Sequence, residues 1–188
     1  MGPTLLVHNA RMTNSSGGAE LAVTVIGPDR TGIVADVAEA LARLGANLTD
    51  STMTRLRGHF AMTLICSAPA SAAEVEAALR PLSADGQLLV TVRAVGPDEP
   101  PHNGGLPYLL SVHGADRLGI VAAVTRVVAD MGGNVTDLST RLVGPLYLLV
   151  AEVDLPEGVP AELTARLAKV AEELGVEVSL RPAGADVL

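Results

Sequence analysis

The chain has 188 residues, of which 48% are hydrophobic, 18% are charged and only 2% are aromatic, and its formal net charge is −8. This composition is typical of a soluble globular protein with an aliphatic core. The scarcity of aromatic residues argues against a surface that stacks single-stranded nucleic acid. The acidic balance, with no cluster of Lys and Arg, argues against direct contact with DNA or RNA.

The N-terminal segment is polar apart from Leu5–Val7, and residues 1–19 are predicted to form a flexible tail. The stretch Met1–His8 lacks the basic region of a signal peptide. No apolar run reaches the roughly 18 residues that a membrane-spanning helix needs. We therefore expect a cytoplasmic protein that makes no contact with a membrane.

A strand, a helix and a hairpin are predicted next. The β-rich run Leu21–Ile26 ends at Gly27. Helical spacing follows in the apolar residues Ile33, Val34, Val37, Ala38 and Leu41. Gly45 stands where a left-handed helix C-cap is expected. The hairpin is predicted from strands at Leu48–Leu56 and His59–Ser67, with Gly58 at the turn.

A second helix and a last strand complete this first set of elements. Ser71 and Glu74 have the spacing of a capping box, in which each residue satisfies a backbone N–H near the start of a helix. The helix presents Val75, Leu79 and Leu82, and the strand is predicted at Leu88–Val95. A linker rich in Pro and Gly follows.

The chain then repeats itself. Residues 27–50 and 114–137 share 13 identities in 24 ungapped positions at an offset of 87. Strands are predicted at Tyr108–His113, Val135–Leu142, Leu146–Asp154 and Val176–Leu180. One helix begins near Ile120, and the other presents Leu163, Leu167, Val170, Ala171 and Leu174. So many identities indicate an internal duplication.

The element order is β-α-β-β-α-β in both halves. It predicts an α+β protein of two ferredoxin-like modules, each a four-stranded antiparallel sheet with two helices on one face. Module 1 is assigned to residues 20–96 and module 2 to residues 107–182. Residues 97–106 are the expected linker, and residues 183–188 the expected C-terminal tail.

The loop between the first strand and the first helix of each module is the strongest candidate for a binding site. It reads Gly27-Pro-Asp-Arg-Thr-Gly32 in module 1 and Gly114-Ala-Asp-Arg-Leu-Gly119 in module 2. A helix N-terminus favours an anion, and a glycine there permits a carboxylate to approach the backbone. The Asp residue would then accept an ammonium group.

Each of these residues also has a purely structural interpretation. Asp29 and Asp116 are equally compatible with helix N-caps or with an ion pair to the following Arg. The glycines are equally compatible with helix–sheet packing. Asn47 and Asn134 either adopt unusual backbone angles after the C-cap glycines or reach a ligand. Spacing alone leaves these alternatives open.

Both loops, with the downstream Gly-x-Asn-x-Thr-Asp, resemble the signature of the ACT domain family. The paired arrangement is similar to the glycine cleavage system transcriptional repressor group. The resemblance implies an amino-acid effector at ACT interfaces, side-by-side packing of modules into an eight-stranded sheet, and regulation through a partner protein. Candidate ligand-binding residues are Asp29, Arg30, Gly32, Ile33, Val34, Asn47, Asp116, Arg117, Gly119, Ile120, Val121 and Asn134.

Two features depart from the family pattern. Thr31 and Leu118 replace the Pro usual in the loop. The segment Arg55–Gly58 matches Arg141–Gly144 only after a shift of one residue, so the two sites need not be equivalent.

A catalytic or metal site is not expected. The single cysteine, Cys66, lies in an apolar run and is expected in the core, and a lone cysteine excludes an internal disulfide. The histidines are His8, His59, His102 and His113, and their spacing is not that of metal ligands. No phosphate-binding or nucleophile motif is present.

The sequence thus predicts a non-catalytic regulatory protein without a cofactor. It would bind a small amino acid, with glycine or serine as the first to test, form a homodimer and act through a protein regulator. Two alternatives remain: a ligand-free interaction or dimerisation module, and a detached regulatory pair of an enzyme of amino-acid metabolism.

Overall fold

The computed structural model describes residues 18–96 and 105–184, which fall into two compact units on either side of the boundary between residues 99 and 100. Most of the expected N-terminal tail, linker and C-terminal tail lies outside the described residues. Two boundary residues differ from expectation. Ala19 already belongs to a strand because it pairs with Ala68, and Leu106 does so because it pairs with Leu155.

Module 1 contains four strands and two helices in the expected order. They are β1 (Ala19–Pro28), α1 (Ile33–Arg43), β2 (Asn47–Leu56), β3 (His59–Ala68), α2 (Ala72–Leu79), a short 3₁₀ helix (Arg80–Ser83) and β4 (Leu89–Ala94). The sheet order is β2-β3-β1-β4, and all neighbouring strands are antiparallel.

Module 2 repeats this arrangement. Its elements are β5 (Leu106–Ala115), α3 (Ile120–Asp130), β6 (Asn134–Val143), β7 (Leu146–Leu155), α4 (Pro160–Leu174) and β8 (Val176–Pro182). The sheet order is β6-β7-β5-β8, again antiparallel throughout. The predicted α+β fold of two ferredoxin-like modules is confirmed. Within the described ranges, no helix is long and apolar enough to cross a membrane.

Each core lies between one face of the sheet and the helices. On β3 the buried residues alternate, so that Phe60, Leu64 and Cys66 face the helices while the residues between them face away. Cys66 is completely buried, which confirms its expected place. Burial, with a smaller contribution from the charge of Glu20, raises the pKa of its thiol because the thiolate would be poorly solvated.

The predicted helix ends are present. Gly45 follows α1 with φ 68°, and the N–H of Ala46 donates to the carbonyl of Leu41 (3.1 Å), as in a Schellman motif. Gly132 ends α3 in the same way. The capping box at the start of α2 is also confirmed: the N–H of Ser71 donates to Glu74 Oε2 (2.8 Å), and this bond lowers the pKa of Glu74.

Candidate functional site

The candidate loops end on glycines in the left-handed conformation. Gly32, which precedes α1, has φ 92°, and Gly119, which precedes α3, has φ 90°. No side chain caps either helix. The interpretation of Asp29 and Asp116 as N-caps is therefore wrong, because the capping position directly before each helix is held by glycine.

The glycines are not required for packing either. A Cβ on Gly119 would meet no atom within 4 Å, and on Gly32 it would come no closer than 3.9 Å, to Asp36 Oδ1. The requirement is conformational, since a positive φ costs other residues free energy that glycine does not lose. Both loops therefore leave open space in front of the first turn of the helix.

In module 1 the charged loop residues are held by ion pairs within the module. Arg55 Nη1 donates to Asp29 Oδ2 (3.3 Å), and Arg30 Nη1 donates to Asp36 Oδ2 (3.0 Å). The expected pair between Asp29 and the adjacent Arg30 does not form. The N–H of Asp29 donates to the carbonyl of Gly58 (2.9 Å), which ties the loop to the β2–β3 turn.

Module 2 lacks both ion-pair partners. The offset of 87 holds from β1 to β3 without a shift, so Leu142 stands where module 1 has Arg55 and Ala123 where it has Asp36. Arg141 corresponds to Thr54, and the one-residue shift suggested by the sequence is absent. Accordingly, Asp116 and Arg117 make no side-chain hydrogen bond or ion pair with any described residue. The two loops are not equivalent.

The remaining candidate residues divide by burial. Ile33 and Ile120 are at most 2% exposed and belong to the cores, so a ligand cannot contact their side chains. Val34 and Val121 are exposed on the first turns of the helices. Asn47 and Asn134 are exposed as the first residues of β2 and β6.

A groove of about 890 Å³ runs along one flank of α3 beside the start of β6. It contains two predicted residues, Gly119 and Asn134. Asp116 does not line it, and Arg117 lines a separate hollow of about 370 Å³ that also contains Glu172 and Glu173. The structure thus divides the predicted residues of module 2 between different places.

The rest of the groove was not predicted. Its other lining residues are Ala122, Ala123, Thr125, Arg126, Ala129, Gly133 and Val135. They carry small side chains, apart from Arg126 and Val135, and those on α3 share one flank of the helix. The spacing of these small residues is visible in the sequence, but small residues on a helix flank carry no chemical signature of a binding site.

Arg126 is the single charged residue among those lining the groove. Its Nη1 atom lies 4.0 Å from Asp130 Oδ1, in a pair whose side chains are 75% and 54% exposed. Such a pair contributes little and leaves the guanidinium able to bind another carboxylate. The groove therefore offers a cation at Arg126 and an amide at Asn134.

Arg126 and Asn134 supply one cation and one amide to the groove. Among the described residues, no group of three or more His, Cys, Asp or Glu side chains is placed to hold a metal ion. Neither Asp116 nor Asn134 lies in hydrogen-bonding contact with a nucleophile in the described ranges. The arrangement can recognise a carboxylate and a small polar group.

The model of the ACT domain matches residues 20–93 and 107–181, which covers both modules. The chain belongs to the ACT domain family. A UPF0237 protein of Methanopyrus kandleri is 40% identical over 72 residues, which is 37% of this chain and 80% of that protein. A UPF0237 protein of Methanocaldococcus jannaschii is 38% identical over the same length and the same shares.

Two solved structures match most of this ACT protein. One is an unknown protein from Galdieria sulphuraria, with 34% identity and a TM-score of 0.75, covering 88% of this chain and 98% of that one. The other is a candidate glycine cleavage system transcriptional repressor, with 21% identity and a TM-score of 0.66, covering 87% and 96%. At that identity, the second match establishes a shared fold.

Proposed function

We propose that this ACT protein is a non-catalytic cytoplasmic regulator that binds a small amino acid in an ACT groove and acts through a protein partner. The groove along α3 carries the proposal. It is lined by the guanidinium of Arg126 and by the amide of Asn134. An α-amino acid would present its carboxylate to Arg126 and its ammonium group to the amide oxygen of Asn134.

The side chains that line the groove offer few contacts to a ligand side chain. Ala122, Ala123 and Ala129 offer little surface for a long side chain to contact. Glycine and L-serine are therefore the first amino acids to test, and the hydroxyl of serine has a possible partner in Asn134.

Action through a protein partner follows from the charge. A net charge of −8 disfavours direct binding to a nucleic acid backbone. Strands β2 and β6 are ten-residue edge strands of their own sheets and suit pairing with a second copy, and β6 exposes Leu138, Leu142 and Val143. We therefore expect a homodimer formed through a sheet edge, as in an interaction module.

Calorimetry and thermal shift with each of the twenty amino acids test the proposal. A ligand present at a hundred times its Kd stabilises the folded state by about 2.7 kcal/mol, which is easily measured. Asn134→Ala should weaken binding, because it removes the amide. Gln87→Ala truncates an exposed amide in module 1 and serves as the matched control.

Absence of both heat and thermal shift with all twenty amino acids would reject the sensor. If the same protein is a dimer by light scattering, the ligand-free interaction module is the better description. A dimer that forms or dissociates on addition of glycine or serine would instead support ligand-dependent regulation.

A further inference from the structure

The flank of the first helix carries opposite charges in the two modules. At the positions of Ala123 and Arg126 on α3, helix α1 has Asp36 and Glu39. The exposed ion pair on this flank is also reversed: Glu39 pairs with Arg43 (3.9 Å), whereas Arg126 pairs with Asp130 (4.0 Å). The duplicated backbone therefore carries the two charges of this pair in reversed order, and module 1 has the further carboxylate of Asp36.

Asp36 occupies the place in module 1 that is open in module 2. Its Oδ1 atom would lie 3.9 Å from a Cβ on Gly32, so its carboxylate stands in front of the left-handed glycine, in the first turn of α1. Arg30 holds it there with a hydrogen bond of 3.0 Å. A carboxylate in the first turn is favoured by the helix dipole. Ala123 leaves the corresponding position on α3 without a charge.

We propose that the carboxylate-accepting site of this chain lies in module 2 alone, with Arg126 as its cation, and that Asp36 is an internal carboxylate occupying the equivalent place in module 1. The inference rests on the proposed function for the nature of the ligand. It adds that each chain takes one amino acid and that module 1 has a structural role. An incoming carboxylate is attracted by Arg126 and repelled by Asp36 and Glu39.

Amide chemical shifts of the full chain separate this inference from the sensor proposal. Three probes are used: glycine, acetate, which has only the carboxylate, and methylammonium, which has only the cation. Acetate and glycine should shift amides between Gly119 and Asn134, and leave those between Gly32 and Asn47 unchanged. Methylammonium, which has no carboxylate, should leave the amides around Arg126 unchanged.

Substitutions at the distinguishing positions give the second measurement. Arg126→Gln should weaken the response to acetate and glycine by about tenfold, equivalent to about 1.4 kcal/mol, because a charge-assisted hydrogen bond is lost. Ala123→Asp should reduce it similarly by supplying an internal carboxylate. Arg43→Gln, an exposed Arg on α1, is the control and should change nothing. Asp36→Ala combined with Glu39→Arg should create an acetate response in module 1, because it removes both repelling carboxylates and supplies the cation.

The possible outcomes separate this inference from the sensor proposal. Equal responses of both modules to glycine would overturn the inference while leaving the sensor proposal intact. A response to acetate in module 2 alone, with no amino acid binding in calorimetry, would support the carboxylate site and reject the sensor. No response to acetate, or an unchanged response in Arg126→Gln, would overturn the inference.

Discussion

The left-handed glycine before α3 allows a quantitative test of how the loop is built. Gly119 has φ 90°, and a Cβ added there would meet no atom within 4 Å. Gly119→Ala therefore introduces no clash, and its cost is the backbone strain of an L-residue in this region, roughly 1–2 kcal/mol. Reduced freedom of the unfolded chain offsets about 0.4–1 kcal/mol of this. We expect a net loss of about 1 kcal/mol.

Tyrosine fluorescence measures this loss of stability in module 2, where Gly119 lies. Both tyrosines, Tyr108 and Tyr147, lie in module 2, and the chain has no tryptophan. The fluorescence transition in denaturant or heat therefore reports the unfolding of module 2. For a domain of this size, 1 kcal/mol corresponds to a shift in Tm of roughly 4–8 °C.

Two further variants serve as comparisons for Gly119→Ala. Gly119→Asn should lose less stability, because Asn adopts the left-handed region more readily. Gly96→Ala places a methyl in open space without a positive φ and should be neutral. No measurable loss in Gly119→Ala would refute the left-handed requirement. A loss of about 3 kcal/mol or more, as in a core truncation, would mean that the methyl does meet neighbours.

Two further predictions concern stability. Ser71→Ala should destabilise module 1 by about 1 kcal/mol near neutral pH, measured by calorimetry. The backbone N–H of residue 71 remains in the variant, but the Ser71 hydroxyl, which also donates to Glu74 Oε2 (2.7 Å) and adds to the lowering of its pKa, is lost. The contribution of this hydroxyl bond is present above the unfolded pKa of Glu74, about 4.3, and is lost as the pH falls through the lower folded pKa. The difference in stability between variant and wild type should therefore narrow there, and a difference that widens would contradict the capping box. Gly133→Ala should cost about 1–3 kcal/mol by tyrosine fluorescence, since its Cβ would lie 2.7 Å from Leu155 Cδ2 and 2.8 Å from Val128 Cγ1. Adding Leu155→Ala should restore part of that cost, because module 1 has Ala46 and Ala68 at the corresponding positions; strict additivity would argue against the clash.

The fold was predictable because its determinants are local and occur twice. Alternation along β3 and helical spacing along α1 identify the buried faces without knowledge of any long-range contact. Gly45 and Gly132 mark helix ends by conformational preference alone, and Ser71 with Glu74 marks a helix start. Each of these signals depends on residues within a few positions of one another, where sequence reasoning is strongest.

The site was less predictable because its determinants are distant or inconspicuous. The sequence allows Asp29 to be a helix cap, an ion-pair partner of the adjacent Arg30 or an acceptor for an ammonium group, yet its partner is Arg55, 26 residues away on β2. The groove on α3 is made largely of Ala and Gly, which carry no chemical signature. In the sequence Arg126 does not differ from several other Arg residues, and only the structure shows that it lines the same groove as Asn134.

The 13 identities between the repeats therefore report architecture more than ligand recognition. Gly32 and Gly45 have positive φ angles, and Ile33 and Val37 are buried. The same holds for their counterparts in module 2. A duplicated domain must retain these residues to fold, whether or not either copy binds anything. Recognition can diverge only at positions that folding leaves free, such as the exposed flank with Glu39 in one copy and Arg126 in the other. In this chain the differences between the repeats, and not their identities, are the places to look for the ligand.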